Sequence, residues 1–528
     1  MSNHLMIFTI GPVQSFIAQA RKTQDLWAGS YLLSYLINHS MKQLLKIGIP
    51  KEDIIFPDVD SPLQDEIASL PNRVLFFTTE PESTAAKLTE FVNEKFLGIC
   101  DFAFERLKKK LKEKVEKEFN GADFVNLVPR QTKGFIKDYW VAVPFADGAD
   151  YAQKYESVES LLRSRKNIKD FDPSEENGIK CPVCGEREAL YLEGQNKKQQ
   201  VLKFWKEISN QIPKINSNET LCSVCLGKRF FPDYLRQAQA DKPEDLGTVN
   251  FPSTAEVASS GFKHSLIVNK KYSDMEKIFF HLFEATGQKG KLLPKNRSEY
   301  KKFRDPAQVI DGHWLYLENY TKREFKALLD DDIRIGKFLA AGKELNEFFK
   351  ANKLPKISKY YAVFFIDGDS MRDKISRIKS KNQHREFTKA MSEFSTEDVG
   401  RIVETEHLGK VIYAGGDDVA ALVNINDLLP VLDKLRTCFL EKMRKKIEFI
   451  PDSFTMSAGA AVAHYKAPFS LVLNYARLME QEAKQFDDGK GHLKNALGIY
   501  HGDNPQRHQP AECGVLGTRQ RQTRGGAN

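Results

Sequence analysis

One order of elements occurs twice in this chain of 528 residues, and it leaves few folds open. The apolar run Leu5 to Ile10 turns at Gly11-Pro12 into a long helical pattern, "VQSFIAQARKTQDLWAGSYLLSYLINHSMKQLL". Strand patterns "DIIFP" and "RVLFFTT" follow, then a helix from Ala85 through the Lys-rich run Lys108 to Lys117, then "YWVAVPFA". From Tyr360 the order returns. A strand to Ile366, a helical segment, a hairpin from Val411 to Val423, the helix "LLPVLDKLRTCFLEKMRKK" and the strand "FTMSAGAAVAHY" precede a last helix and the strand "NALGIYH". Each copy reads β-α-β-β-α-β, a ferredoxin-like split βαβ unit. The expected fold class is α+β: two ferredoxin-like domains with a zinc-binding insertion and a helical middle domain. The expected boundaries are 1–150, 151–250, 251–355 and 356–502, with a disordered tail over 503–528 that is rich in Arg, Gln and Gly.

A chain this long exceeds one hydrophobic core. With 41% apolar and 28% charged residues, and no run of 18 apolar residues, it reads as globular with no membrane partner. The start lacks the pattern of a secretory signal, so a cytoplasmic location is expected. A net charge of +8 permits contact with nucleic acid or nucleotides without establishing it. The run "RLKKKLKEKVEKEF" alternates in charge along a helix and reads as a solvated face.

Four of the seven cysteines are paired by spacing, Cys181 with Cys184 in "CPVCGE" and Cys222 with Cys225 in "CSVCLGKR". Two C-x-x-C knuckles in a chain without a secretion signal indicate a tetrahedral structural Zn²⁺ site. A redox pair would need one such motif. A closed four-thiolate site has no open coordination position, so it stabilises its domain and does no chemistry.

The two copies differ at the end of the first strand. The second ends in Asp367-Gly-Asp369, whereas the first has Gly11-Pro12-Val13-Gln14 and no acid. The hairpin of the second copy carries Gly415, Gly416, Asp417 and Asp418 at its tip, where Gly and Asp could be ordinary turn residues. In this fold that hairpin lies beside the first strand, and carboxylates from both would repel unless a cation shared them. Mg²⁺ or Mn²⁺ suits such a site, since it takes few protein carboxylates and fills its shell with water and phosphate. Two such metals can activate a 3′-hydroxyl and stabilise a leaving pyrophosphate. Glycines at 415 and 416 would let a nucleotide approach the backbone. Lys484 could contact a triphosphate or be solvated, and Ser370 could cap the next helix or touch a base.

Strand-Asp-x-Asp, the Gly-Gly-Asp-Asp hairpin, "TMSAGAAV" and "ARLMEQEAK" resemble the palm of nucleotidyl cyclases and polymerases. With "IGPVQSFIAQARKTQDLWAGSYLLSYL" and the paired C-x-x-C motifs, the chain resembles the large subunit of type III CRISPR interference complexes of the Cmr kind, over about residues 5–500. The resemblance implies a complex with smaller Cmr subunits, a guide RNA and a target RNA, in which the palm converts ATP into cyclic oligoadenylates. It implies Asp367, Asp417 and Asp418 as catalytic metal carboxylates, with Asp369 a further member. Gly415, Gly416, Ser370 and Lys484 would bind the nucleotide, and the first palm would be non-catalytic. Many relatives carry an N-terminal HD nuclease domain. This chain begins at the first palm and none of its 11 histidines is followed by Asp, so no metal-dependent DNase activity is expected. Relatives also continue with a helical domain where this sequence has its tail. Two other functions fit the residues: a scaffold subunit that binds nucleotide without turnover, and a stand-alone signalling cyclase, against which stands Asp-Asp where diguanylate cyclases carry Glu-Glu-Phe.

Overall fold

The computed structural model describes residues 3–501 and 513–517, apart from 62, 64–65, 147, 169–175, 213, 217–218, 239–250, 270–274, 287–310, 322–331, 353, 355, 452 and 488–493. The first unit runs β1 (Asn3–Gly11), α1 (Thr23–Lys46), β2 (Ile54–Phe56), β3 (Arg73–Thr78), α2 (Pro81–Glu118) and β4 (Lys137–Phe145). Its sheet order is β2-β3-β1-β4, antiparallel throughout, as expected for a split βαβ unit. Helix α3 (Tyr151–Asn167) packs back on β4 and β1, so the first unit reaches past residue 150.

The long helical pattern after Gly11 is not one helix. It breaks between a short turn of helix, Gln14–Ala18, and α1. The cause lies far along the chain: the Lys228 ammonium takes the carbonyls of Phe16 and Gln19, the latter at 2.8 Å, and so occupies acceptors that a continuous helix would use.

Lys228 belongs to α4 (Ser223–Ala238), which carries the second cysteine knuckle and lies across α1 and α2. Arg229 of α4 donates to Asp25 of α1 at 2.8 Å and to Glu219 at 2.9 Å, all three side chains being buried. Gly227 lets α4 close on α2, since a Cβ there would stand 2.7 Å from Cys100 Sγ. The cysteine segment and the first unit therefore share one core. Helix α5 (Thr254–Val268), Glu276–Thr286 and Asp332–Asn352 form a smaller helical cluster. Most of the connector "DFDPSEENG" and parts of the middle segment lie outside the described residues.

The second unit runs β5 (Tyr360–Gly368), α6 (Lys381–Glu393), β6 (Gly409–Gly415), β7 (Asp418–Asn424), α7 (Leu428–Lys446) and β8 (Met456–His464). Helix α8 (Phe469–Gln485) and β9 (Ala496–His501) then add a strand parallel to β8. The sheet order is β10-β9-β8-β5-β7-β6, and β8-β5-β7-β6 repeats the order of the first unit. The tail, expected to be disordered, instead supplies β10 (Cys513–Gly517), antiparallel to β9. This short apolar stretch satisfies backbone groups that β9 would otherwise leave at an edge. The rest of the tail lies outside the described residues.

The two units pack face against face. Leu5, Ile7, Leu75 and Phe77 of the first sheet join one core with Ile366, Phe387, Met391 and Val419 of the second unit. Lys381 crosses to Asp53 at 2.6 Å, and the Tyr151 hydroxyl lies 2.8 Å from His384 Nδ1. The end of the second sheet that carries the acids is therefore bordered by the first.

Candidate active site and metal-binding cysteines

Register places the acids. Ile366 of β5 is opposite Val419 of β7, so Asp367 and Asp418 are next in line on adjacent strands and share a face with Phe365 and Ala420. Helix α8 covers that face at unusually close range. A Cβ on Gly459 of β8 would lie 1.9 Å from Glu480 N, and one on Gly498 of β9 would lie 2.5 Å from Met479 O. Glycine at both positions brings Arg477, Glu480 and Lys484 down onto the strand ends. Lys484 is ion-paired with Asp367 and lies 3.7 Å from Glu480. The Tyr413 hydroxyl donates to Asp418 Oδ1 at 2.8 Å.

Charges crowd here. Burial and Asp418 push Glu480 up to about 7, and burial pushes Asp418 itself up to about 6. Burial and the neighbouring Lys494 ammonium pull Lys484 down to about 8.

Asp417 stands apart from this set. It lines a small cleft between the two units, with Arg73 and Glu159 on one wall and His384, Met391 and Gly416 on the other. Burial, then the charge of Asp418, pushes Asp417 up to about 7, while Arg73 and a bond from the Gly368 backbone oppose the rise. Gly368 must be glycine, because a Cβ there would sit 2.9 Å from the Asp417 side chain. Gly416 has φ +77°, which the tight turn requires. Gly415 is different: a Cβ there would meet nothing within 4 Å, so protein packing does not demand its glycine.

Asp369 is buried and its carboxylate is already taken. It accepts from Thr455 Oγ1 at 2.8 Å, Ser457 Oγ at 2.7 Å and Asn495 N at 3.0 Å. Such an acid ties the end of β5 to β8 and to the turn before β9. Ser370 has φ 52° and does not cap the following helix with its side chain; its hydroxyl accepts from Lys494 Nζ at 2.9 Å. Tyr413, Arg477, Glu480 and Lys494 escaped the sequence reading, although Glu480 sits one helical turn before Lys484 and so shares its face.

Among the described residues, only the cysteines bring three or more potential metal-ligating atoms within 4.8 Å of one another. Cys181, Cys184, Cys222 and Cys225 do so, three of them buried. The first knuckle is closed by Gly185, at φ +71°, whose N–H donates to Cys181 O at 2.8 Å. In the second, Cys225 N donates to Cys222 Sγ at 3.4 Å. Four soft donors, three of them buried, can hold a structural metal ion such as zinc. The palm acids are looser, which fits a hard cation that takes one or two protein carboxylates. Among the described residues no helix is long and apolar enough to cross a membrane.

Comparison with known proteins agrees with the geometry. Residues 360–496 match the family model of the Cas10/Cmr2 second palm domain, and residues 5–120 match that of the CRISPR-associated protein Cmr2 N-terminal region. The CRISPR system Cmr subunit Cmr2 of Pyrococcus furiosus is 26% identical over 586 aligned positions, covering 94% of this chain and 61% of that protein. The chain thus spans about three-fifths of that relative. A Cas10/Csm1 single-strand-specific deoxyribonuclease of subtype III-A from Streptococcus thermophilus is 28% identical over 117 residues, 22% of this chain and 14% of that one. The fold also matches a chain of the type III-B Cmr-beta complex bound to cognate target RNA, with TM-score 0.64 and 16% identity over 98% of this chain and 71% of that one. The motif order, the paired split βαβ units and both family matches agree: the chain carries a Cmr2 N-terminal region and a Cas10/Cmr2 second palm domain, and it is similar to Cmr2 over most of its length.

Proposed function

We propose that the second palm is a metal-dependent nucleotidyltransferase that joins ATP into cyclic oligoadenylates, within a complex of Cmr subunits, guide RNA and target RNA. The observation that carries this reading is the pairing of Asp367 and Asp418 on adjacent strand ends, with the Lys484 ammonium on Asp367 and Glu480 beside it. Neighbouring carboxylates whose burial makes ionisation costly form a site that favours a cation. Mg²⁺ or Mn²⁺ held by Asp367 and Asp418, with Asp417 nearby, would lower the 3′-hydroxyl pKa and neutralise the leaving pyrophosphate.

The chain's own residues have separate tasks. Lys484 offers a positive charge to phosphate. Gly415, with open space above it, and Gly416 let the polyphosphate or ribose lie on the backbone. Ser370, held by Lys494, would contact a base. Tyr413 orients Asp418. Asp369 braces the site and is assigned no metal. The cysteines hold structural Zn²⁺, which makes the insertion part of the first palm's core. Soluble partners and a cytoplasmic location follow from this reading.

The test is incubation of the assembled complex with each NTP and Mg²⁺ or Mn²⁺, with and without target RNA, with products read by mass spectrometry. Cyclic oligoadenylates that vanish in Asp367→Ala support the proposal. ATP binding without product would mark a nucleotide-binding scaffold, and a cyclic product independent of RNA would mark a stand-alone cyclase.

A further inference from the structure

Strand β6, which delivers Tyr413, Gly415 and the acidic turn, lies at the edge of its sheet, with β7 as its neighbouring strand. An open edge presents unsatisfied N–H and C=O groups. Here a piece of the first palm closes it. Ala414 N donates to Ala68 O at 2.9 Å, and Ala68 pairs with Tyr413 as a parallel bridge. Two residues earlier in the same loop, Glu66 lies 3.1 Å from Lys410 Nζ, at the other end of β6. Lys410 is 6% exposed and is shared with Glu404, also at 3.1 Å, whose second oxygen accepts from Val411 N at 2.9 Å.

The loop is itself tightly fixed. The indole of Trp27 donates to Glu66 O at 2.6 Å, and Glu66 has φ 68°, a costly conformation for a residue with a Cβ. Ile67 packs against Gly400, where a Cβ would stand 3.0 Å from its Cδ1. The contact is thus over-determined, and it falls on the strand that ends in the acids. β6 also carries a bulge between Val411 and Tyr413, so its register against β7 alone is interrupted between Lys410 and the turn.

We propose that the loop 66–68 of the first palm is a clamp on β6, and that Glu66 and Lys410 are positioning residues for the Gly415–Asp418 turn of the second palm. The first palm then supplies more than a packing face. Any displacement of it is passed through the Glu66–Lys410 pair and the Ala68–Ala414 bond to the acids. This role rests on the nucleotidyltransferase reading, since a turn that does no chemistry needs no such placement.

The test compares Glu66→Gln, Lys410→Met and Lys410→Arg with the unaltered full chain in its complex. Glu66→Gln and Lys410→Met should lower oligoadenylate turnover about ten-fold, with the KM for ATP changed less than about two-fold, since a small misplacement of catalytic groups costs rate more than binding. Lys410→Arg should keep most of the rate. Hydrogen exchange should speed up at the Ala414 amide and across 411–418, while the amides of β1 stay protected. Unchanged exchange across 411–418 would overturn the clamp, and faster exchange with full turnover would overturn its role in positioning. Should the unaltered complex make no oligoadenylate, the functional reading fails, and the clamp is judged on exchange alone.

Discussion

Asp417 and Asp418 are neighbours in sequence whose side chains work on different sides of the hairpin. Asp418 lies with Asp367 under α8 and accepts from Tyr413, whereas Asp417 lines the cleft toward Arg73 of the first palm. Strand β7 begins at Asp418, so alternation fixes the face of Asp418, while Asp417 belongs to the turn with Gly416 and is not held to that face.

The two acids should therefore fail differently when replaced. Asp418→Ala should remove Mn²⁺ binding, read by titration of the free ion's paramagnetic signal, and lower turnover about a thousand-fold or more. Asp417→Ala should lower turnover while keeping more of the metal affinity. Equal loss of metal in both variants would contradict the division of faces.

Asp369 makes the opposite case. Its three acceptor contacts are to hydroxyls and a backbone N–H, and it is 4% exposed. Asp369→Asn converts one oxygen into a donor and leaves buried donors unpaired. The expected cost is about 2–4 kcal/mol of stability by urea unfolding, with Mn²⁺ affinity nearly unchanged. A fully stable variant that had lost its metal would make Asp369 a ligand after all.

The cysteine site predicts a folding defect, not a catalytic one. Cys184→Ser should lower zinc content from one equivalent and destabilise the first palm by several kcal/mol, roughly the scale on which metal binding contributes to folding. Its effect should extend to α1, because Lys228 and Arg229 of the knuckle helix hold Phe16, Gln19 and Asp25. Protein purified without chelators and found free of zinc would sink the assignment.

Burial raises three carboxylates, Asp417 and Glu480 with help from the charge of Asp418, and so sets a pH dependence. Asp417 and Glu480 stand at about 7 and Asp418 at about 6, against ordinary values near 4 in the unfolded chain. Between those limits the folded form binds more protons than the unfolded one. Their contribution to stability is thus full below pH about 4 and falls as pH rises toward 7. With zinc present but no Mg²⁺ or Mn²⁺, the urea midpoint should fall from pH 5 to pH 8. Adding Mn²⁺ at pH 8 should raise it, since a ligand of the folded state stabilises by mass action. A flat profile would mean that these groups are not buried in solution as they are in this structure.

What could be read in advance followed the range over which each signal acts. The doubled β-α-β-β-α-β order was legible because apolar runs and Gly or Pro turns are local, as was the cysteine set, because C-x-x-C spacing is local. The break after Ala18 was not, since the lysine that causes it is about two hundred positions away. Nor was the separation of Asp417 from Asp418, which depends on where pairing with β6 stops. Asp369 looked like its neighbour Asp367 in sequence. Only the hydroxyls of Thr455 and Ser457, brought over by β8, show why one is braced and the other is left to Lys484.

The last prediction concerns a residue that touches no acid. Gly459 sits under α8, and a methyl group there would meet Glu480 N at 1.9 Å and Ala476 O at 2.4 Å. These are backbone atoms, so no rotamer change relieves the clash and the helix must move off the sheet. Overpacking of this kind costs about 1–3 kcal/mol or more. Glu480 and Lys484 would be carried away from Asp418 and Asp367 in the same movement. Gly459→Ala should therefore lower both the melting temperature and oligoadenylate turnover. Gly336→Ala is the control: it lies in a helix, a Cβ there meets nothing within 4 Å, and the substitution should stabilise by up to about 1 kcal/mol. If Gly459→Ala melted lower yet kept full turnover, α8 would not be what places Lys484 on the strand ends.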